Sequence, residues 1–300
     1  MTADENPGEE ARASGPSDYL YALARRVAES YAALAQTRAV LLTGSAAEGT
    51  SDSFSDLDLI VYYDEIPDDE ELAGVRRRNG GAERLWMGGD RAEGGFVEAY
   101  AAGGVECQVA HTSISVWERD MAALLEGRDV ASPLQKALDG TLHGLAMHGD
   151  AVIRRWQDRI AAYPDALAHA MVTHYLSFFP IWYHQERLSQ RDAVLWQQQA
   201  LLEVAQHVLG VLAGLNRLYY STFQFKRMRR LIARMDAAPP ELADRIEDLF
   251  RLDLRTASRE AEALVEETVG LVEARMPHVD TGPARRRLHQ RQRRWGLPVP

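Results

Sequence analysis

Lysine is nearly absent from this chain. Lys136 and Lys226 stand against 32 arginines, a bias that fits genome composition and makes each lysine worth asking about. Cysteine is rarer still. Cys107 is alone, which excludes an intrachain disulfide and any zinc site built on cysteine pairs. It lies in an apolar stretch and reads as a small core residue. No run approaches the roughly 18 apolar residues that a membrane span needs. The N-terminus also lacks the basic-then-apolar pattern of a signal peptide, so no membrane partner is expected and the cytoplasm is the expected compartment. There is no internal repeat. Acid outweighs base over the chain as a whole, but not at its C-terminus. The chain carries −10, and residues 284–300 hold six arginines and no acid, so the remainder carries −16. A body that acidic is a poor partner for nucleic acid, whose phosphates need clustered Lys and Arg. It suits a small cationic ligand, and it equally serves solubility alone.

What is present is ample for a globular fold. Hydrophobic residues make up 46% of 300, enough for one large domain or two ordinary ones. Residues 1–17 are acidic and poor in large apolar side chains, and are expected to be a disordered tail. Tyr19–Ala35 has apolar residues at helical spacing. Short apolar runs at Ala39–Thr43 and Leu57–Tyr63 predict strands. Glu70–Arg78 predicts a short helix and Arg84–Met87 another strand. Phe96–Ala101 and Val105–His111 predict a hairpin across Ala102-Gly103-Gly104. After residue 112 helical periodicity takes over. Helices are expected at 116–125, 133–147, 151–161, 166–187, 193–215, 223–235, 241–250 and 255–274. The fold class is therefore α+β: a mixed sheet with flanking helices at residues 18–125, then a helical domain at 126–300 that would bind substrate.

The chemistry concentrates in Leu41-Leu42-Thr43-Gly44-Ser45 and in Asp56-Leu57-Asp58-Leu59-Ile60-Val61. Alternation along a strand puts Asp56 and Asp58 on one side and turns Leu57 and Leu59 to the core. Neighbouring carboxylates repel unless a cation sits between them. Their hard oxygens suit Mg²⁺, whose shell is completed by waters and substrate phosphates. Gly44 and Ser45 offer backbone N–H groups to a phosphate at close approach. A phosphate turn beside a metal dyad points to phosphoryl or nucleotidyl transfer.

The stretch Gly44-Ser45-Ala46-Ala47-Glu48-Gly49-Thr50, running on to Ser55-Asp56-Leu57-Asp58-Leu59, resembles the signature of the nucleotidyltransferase superfamily typified by DNA polymerase beta. Within it the pattern is most similar to small bacterial aminoglycoside and lincosamide nucleotidyltransferases, which pair a catalytic domain with a helical one. Glu48 departs from the pattern, since many relatives carry a basic residue there. The resemblance implies that Asp56 and Asp58 bind metal. It also implies a third carboxylate on a neighbouring strand, as metal ligand or as the base for an acceptor hydroxyl. Val105-Glu106-Cys107 matches that pattern, with Glu98 across the hairpin as competitor. Leu215-Asn216-Arg217-Leu218-Tyr219, followed by Lys226, resembles an Asn–aromatic–Lys segment whose lysine reaches the triphosphate. The expected activity is Mg²⁺-dependent transfer of AMP from ATP to a hydroxyl of a small cationic acceptor, such as an aminoglycoside-like antibiotic. Modification of a protein side chain and a silent nucleotide-sensing module are the rival expectations.

Overall fold

The computed structural model describes residues 15–81, 83–127, 129–130, 132–188, 191–291 and 296. Most of the expected N-terminal tail, and Arg293 and Arg294 of the basic C-terminus, lie outside the described residues. In chain order the elements begin with α1 (Pro16–Ala32), β1 (Thr37–Thr43), the single turn α2 (Gly44–Ala47), β2 (Leu57–Tyr63) and α3 (Asp69–Arg78). Strands β3 (Arg84–Asp90), β4 (Gly95–Ala102) and β5 (Val105–Ser113) follow, then α4 (Ile114–Leu125), α5 (Leu134–His143), β6 (Leu145–His148) and α6 (Asp150–Ala161). The remainder is helical: α7 (Asp165–Tyr175), α8 (Ile181–Leu188), α9 (Val194–Leu215), α10 (Met228–Ile232), α11 (Leu242–Asp248), α12 (Leu254–Arg275) and α13 (Gly282–Leu288). The fold class is α+β, as the sequence predicts. Among the described residues, no helix is long and apolar enough to cross a membrane.

Pro16 and Ser17, expected in the tail, open α1 instead, because proline is tolerated in a first helical turn where its missing N–H costs nothing. The helix expected at 133–147 stops at His143. Gly144 ends it, and the next four residues form β6 on the open edge of β1, pairing Leu41 with Ala146 and Leu42 with Leu145. The helix expected at 166–187 is two helices. Pro180 removes an N–H and disfavours helical geometry at Phe179, so α7 ends at Tyr175 and α8 starts at Ile181. The helix expected at 223–235 is a 3₁₀ segment at Thr222–Arg227 followed by the short α10.

Two compact units result. One comprises residues 1–121 and 140–162, the other 122–139 and 163–300. A single cut at 125 misses this return, because β6 and α6 belong with the sheet.

In the first unit the sheet order is β3-β4-β5-β2-β1-β6. Among the described residues only β2 and β5 pair in parallel. Register assigns each residue to a face. Val40, Leu42, Leu57, Leu59, Val61, Cys107 and Val109 point one way, into a core closed by Leu20, Leu23, Val27 and Tyr31 of α1 and Leu72 and Val75 of α3. The opposite face carries a buried aromatic cluster at one end. There Tyr62 packs against Trp117 and Trp156, with ring centroids 5.6 and 4.6 Å away. The other end, at the start of β2, carries Asp58 and is half-buried.

The second unit has its own core. Leu167, Met171 and Val172 of α7, Leu201, Val204, Val208 and Leu212 of α9, and Leu264, Val265 and Val269 of α12 are all buried. Gly210 permits close packing on α9: a Cβ there would meet the Tyr175 ring at 2.3 Å. Arg245 ties α11 to α12 through ion pairs with Glu260 and Glu267.

Candidate active site

The antiparallel pairing of β1 with β2 explains why two separated motifs meet. Thr43 stands opposite Asp58, so Gly44, the next residue, turns away directly beside the Asp58 carboxylate. Gly44 has φ +69°, and a Cβ at that position would lie 2.3 Å from Asp58 Oδ2. The glycine is needed twice, for a left-handed backbone and for the absence of a side chain. Ser45 follows in α2, and its Oγ accepts from Ser51 Oγ at 3.2 Å. The Ser45 carbonyl accepts from the Thr50 N–H at 2.9 Å. Asp52 closes the turn before β2, accepting from Phe54 N–H at 2.9 Å and Ser55 Oγ at 3.1 Å. Asp56 is thereby delivered half-buried to the strand start.

Parallel pairing then sets β5 beside the dyad. Asp58 is in register with Gln108, so Gln108 and Glu106 share the face of Asp58. The Gln108 amide donates to Asp56 Oδ2 at 2.7 Å and to Glu106 Oε1 at 3.1 Å. That same Glu106 oxygen accepts from the Trp86 indole N–H at 2.9 Å. Trp86 comes from β3, three inter-strand steps from β2, or about 14 Å at ordinary strand spacing. Trp86 stands opposite Ala99 of β4, Glu106 stands opposite Ala101, and Trp86 remains 41% exposed. Phe54, at the loop tip before Asp56, is almost wholly exposed.

Of the expected site residues, the structure brings Gly44, Ser45, Asp56 and Asp58 together and sets Glu106 on the same face across Gln108. Among the described residues no three His, Cys, Asp or Glu side chains converge as a metal-binding group. Glu106 therefore stands apart from the aspartates in this arrangement, with a glutamine amide between them. Lys226 belongs to the second unit, in the exposed part of the 3₁₀ segment. The other members of its segment have structural partners. Asn216 Nδ2 donates to the carbonyls of Leu212 and Ala237 at 2.7 and 2.9 Å, and Tyr219 is buried.

Glu98 is excluded from this site by register. It pairs with Val109, whose side chain faces the core. There Glu98 is fully buried and bridges Arg76 at 2.6 Å and Arg84 at 2.9 Å. Burial alone would raise its carboxyl, but hydrogen bonding and charge from His111 and Arg76 prevail and bring it down to about 2. His111 is buried beside it, stacked 4.8 Å from Phe96 and bonded through Nδ1 to the Tyr63 hydroxyl at 2.9 Å. Burial pushes the imidazole down, against the pull of Glu98. This is a structural polar network beneath the sheet. Cys107 is buried on the same side, its thiol pushed up to about 12 by desolvation.

Two residues of this half-buried face escaped sequence reasoning. Gln108 and Trp86 belong to types that carry no metal or acid–base signal alone. Gln108 was legible as the next outward position after Glu106. Trp86 was not, because its reach over β4 depends on tertiary pairing.

No family model and no curated protein matches the chain. Among solved structures it is similar to a nucleotidyltransferase-like protein from Exiguobacterium sibiricum 255-15, with 14% identity over 86% of this chain and 80% of that one, and a TM-score of 0.40.

Proposed function

We propose that the protein is a nucleotidyltransferase that moves AMP from ATP to a hydroxyl of a small cationic acceptor, releasing pyrophosphate. The observation that carries this reading is the Asp58 carboxylate seated against the bare Cα of Gly44, with the half-buried Asp56 two residues before it. The donor set fits Mg²⁺: hard carboxylate oxygens beside a turn that can take a phosphate. Asp56 and Asp58 would hold the ion, which when bound neutralises phosphate charge and orients the triphosphate.

The chain's own groups do the rest. Gly44 and Ser45 present backbone N–H groups to the phosphates. Gln108 fixes Asp56 and Glu106 relative to one another through one amide. Glu106 has one oxygen committed to Trp86 and Gln108 and takes the acceptor proton through the other. Trp86 offers a partly exposed aromatic face beside that carboxylate, suited to an organic cation. An aminoglycoside-like antibiotic has the hydroxyls and the charge that this chemistry requires.

Mass spectrometry of reactions with ATP, MgCl₂ and a panel of aminoglycosides tests the proposal. It expects an acceptor carrying one added AMP and one pyrophosphate released per adduct. AMP retained on the protein would make a protein side chain the acceptor. Nucleotide binding without pyrophosphate release would make the chain a silent sensor.

A further inference from the structure

The second unit contains a cavity of about 500 Å³ that no part of the proposed reaction uses. It is lined by Asp165 and Ala168 of α7, Leu215 and Arg217 at the end of α9, and Arg275 and His278 at the end of α12. That volume is within the range of small-molecule sites.

Arg217 is the unusual residue. Helix α9 closes with a Schellman motif: the Leu218 N–H donates to the Ala213 carbonyl at 2.9 Å and the Arg217 N–H to that of Gly214 at 3.2 Å. Arg217 occupies the left-handed position of this motif with φ +53°, where glycine is the ordinary choice. The strain is held in place by Asn216. Its side chain bonds the Leu212 and Ala237 carbonyls and accepts from the Ala237 N–H at 2.8 Å. A strained arginine, pinned from both sides, presents its guanidinium at the cavity. Asp165 engages Nη2 of Arg217 in an exposed pair, leaving the Nε and Nη1 donors.

Arg275 lines the same space. It is exposed and makes no hydrogen bond or ion pair among the described residues. The His278 ring also lines the cavity and is stacked on His169, with centroids 5.3 Å apart and planes 13° apart. Two guanidiniums face one carboxylate here, in a chain whose net charge is −10. Leu215 and Ala168 supply an apolar wall. We propose that this cavity binds a small organic oxyanion, a phosphate monoester or a carboxylate, with Arg275 and Arg217 as its ligands. Planar guanidinium forks match both head groups.

The test is calorimetric titration of the full chain with glycerol 3-phosphate and, separately, succinate, with glycerol as control. Binding of at least one anion and none of glycerol is expected, and the arm that responds names the head group. Arg217→Gly places at that backbone position the residue it favours, so its Tm should equal or exceed that of the wild type. Arg275→Gln removes an unpaired surface charge. Each should weaken anion binding about tenfold, as loss of one charged hydrogen-bonding partner does. Asp56→Asn, in the other unit, should leave it unchanged. The proposal is overturned if neither anion binds at about 10 mM, far above any useful affinity. It is equally overturned if both arginine variants bind as the wild type does, or if Asp56→Asn abolishes binding.

Discussion

Substituting Gly44 by alanine tests the geometry of the phosphate turn, and Gly49 supplies its control. Both glycines are left-handed, with φ +69° and +67°. An alanine at either position therefore meets the same backbone penalty, about 1–2 kcal/mol. They differ in surroundings. A Cβ at Gly49 meets nothing within 4 Å, whereas at Gly44 it lies 2.3 Å from Asp58 Oδ2. Ordinary contact begins near 3.4 Å. The overlap is relieved when the Asp58 carboxylate or the turn moves by about 1 Å, and misplacement of the carboxylate on that scale costs on the order of a hundredfold in rate, or about 2.7 kcal/mol of barrier. Thermal unfolding and pyrophosphate release should be measured on both variants. Gly49→Ala should lose a few degrees in Tm at about 2–4 °C per kcal/mol and keep its turnover. Gly44→Ala should lose at least as much stability and about a hundredfold in turnover. Equal turnover in the two variants would refute the claim that contact between Gly44 and Asp58 organises the site.

Other consequences follow from named contacts. Trp86→Phe keeps an aromatic face but removes the N–H that Glu106 accepts. Steady-state kinetics should show kcat falling about tenfold, the scale of a hydrogen bond to a charged group, with the KM for ATP unchanged. A rise in the ATP KM at constant kcat would place Trp86 on the nucleotide instead. Gly210→Ala drives a methyl into the Tyr175 ring and should destabilise the second unit by about 1–3 kcal/mol, read by denaturant unfolding. An unchanged midpoint would contradict that packing. The buried Glu98–His111 network predicts acid sensitivity in two stages. His111 is depressed in the folded protein, so below its ordinary value of 6.5 the unfolded chain takes the proton first and stability falls with pH. Glu98 is depressed from 4.5 to about 2, so its contribution is complete above 4.5 and disappears as pH falls toward 2. Glu98→Gln should flatten the lower stage in a Tm-versus-pH series, and an identical profile would remove Glu98 as its source.

The sheet was legible where local rules sufficed. Leu57–Tyr63 is a strand with the expected bounds because its alternation marks a half-covered face. The nearness of Gly44 to Asp58 follows from two apolar runs joined by a polar loop. The choice between Glu106 and Glu98 was also present in the sequence. Gly103 and Gly104, with φ +57° and +77°, make a two-residue turn that pairs Ala102 with Val105. Counting back along both strands sets Glu98 opposite Val109, on the core side. What could not be read locally was set by tertiary context. Residues 145–148 have helical neighbours but find an open strand edge, and Trp86 finds Glu106 across an intervening strand. Arg217 looks like part of a motif until its backbone angle is known.

The central claim is that Asp56 and Asp58 hold a divalent cation against a triphosphate on the Gly44-Ser45 turn. Calorimetric titration with a non-hydrolysable ATP analogue, with and without MgCl₂, addresses it directly. Binding in the wild type that requires magnesium, and its loss in Asp56→Asn and Asp58→Asn with Tm preserved, is the predicted result. Binding of equal strength without the metal or in both variants would contradict the account.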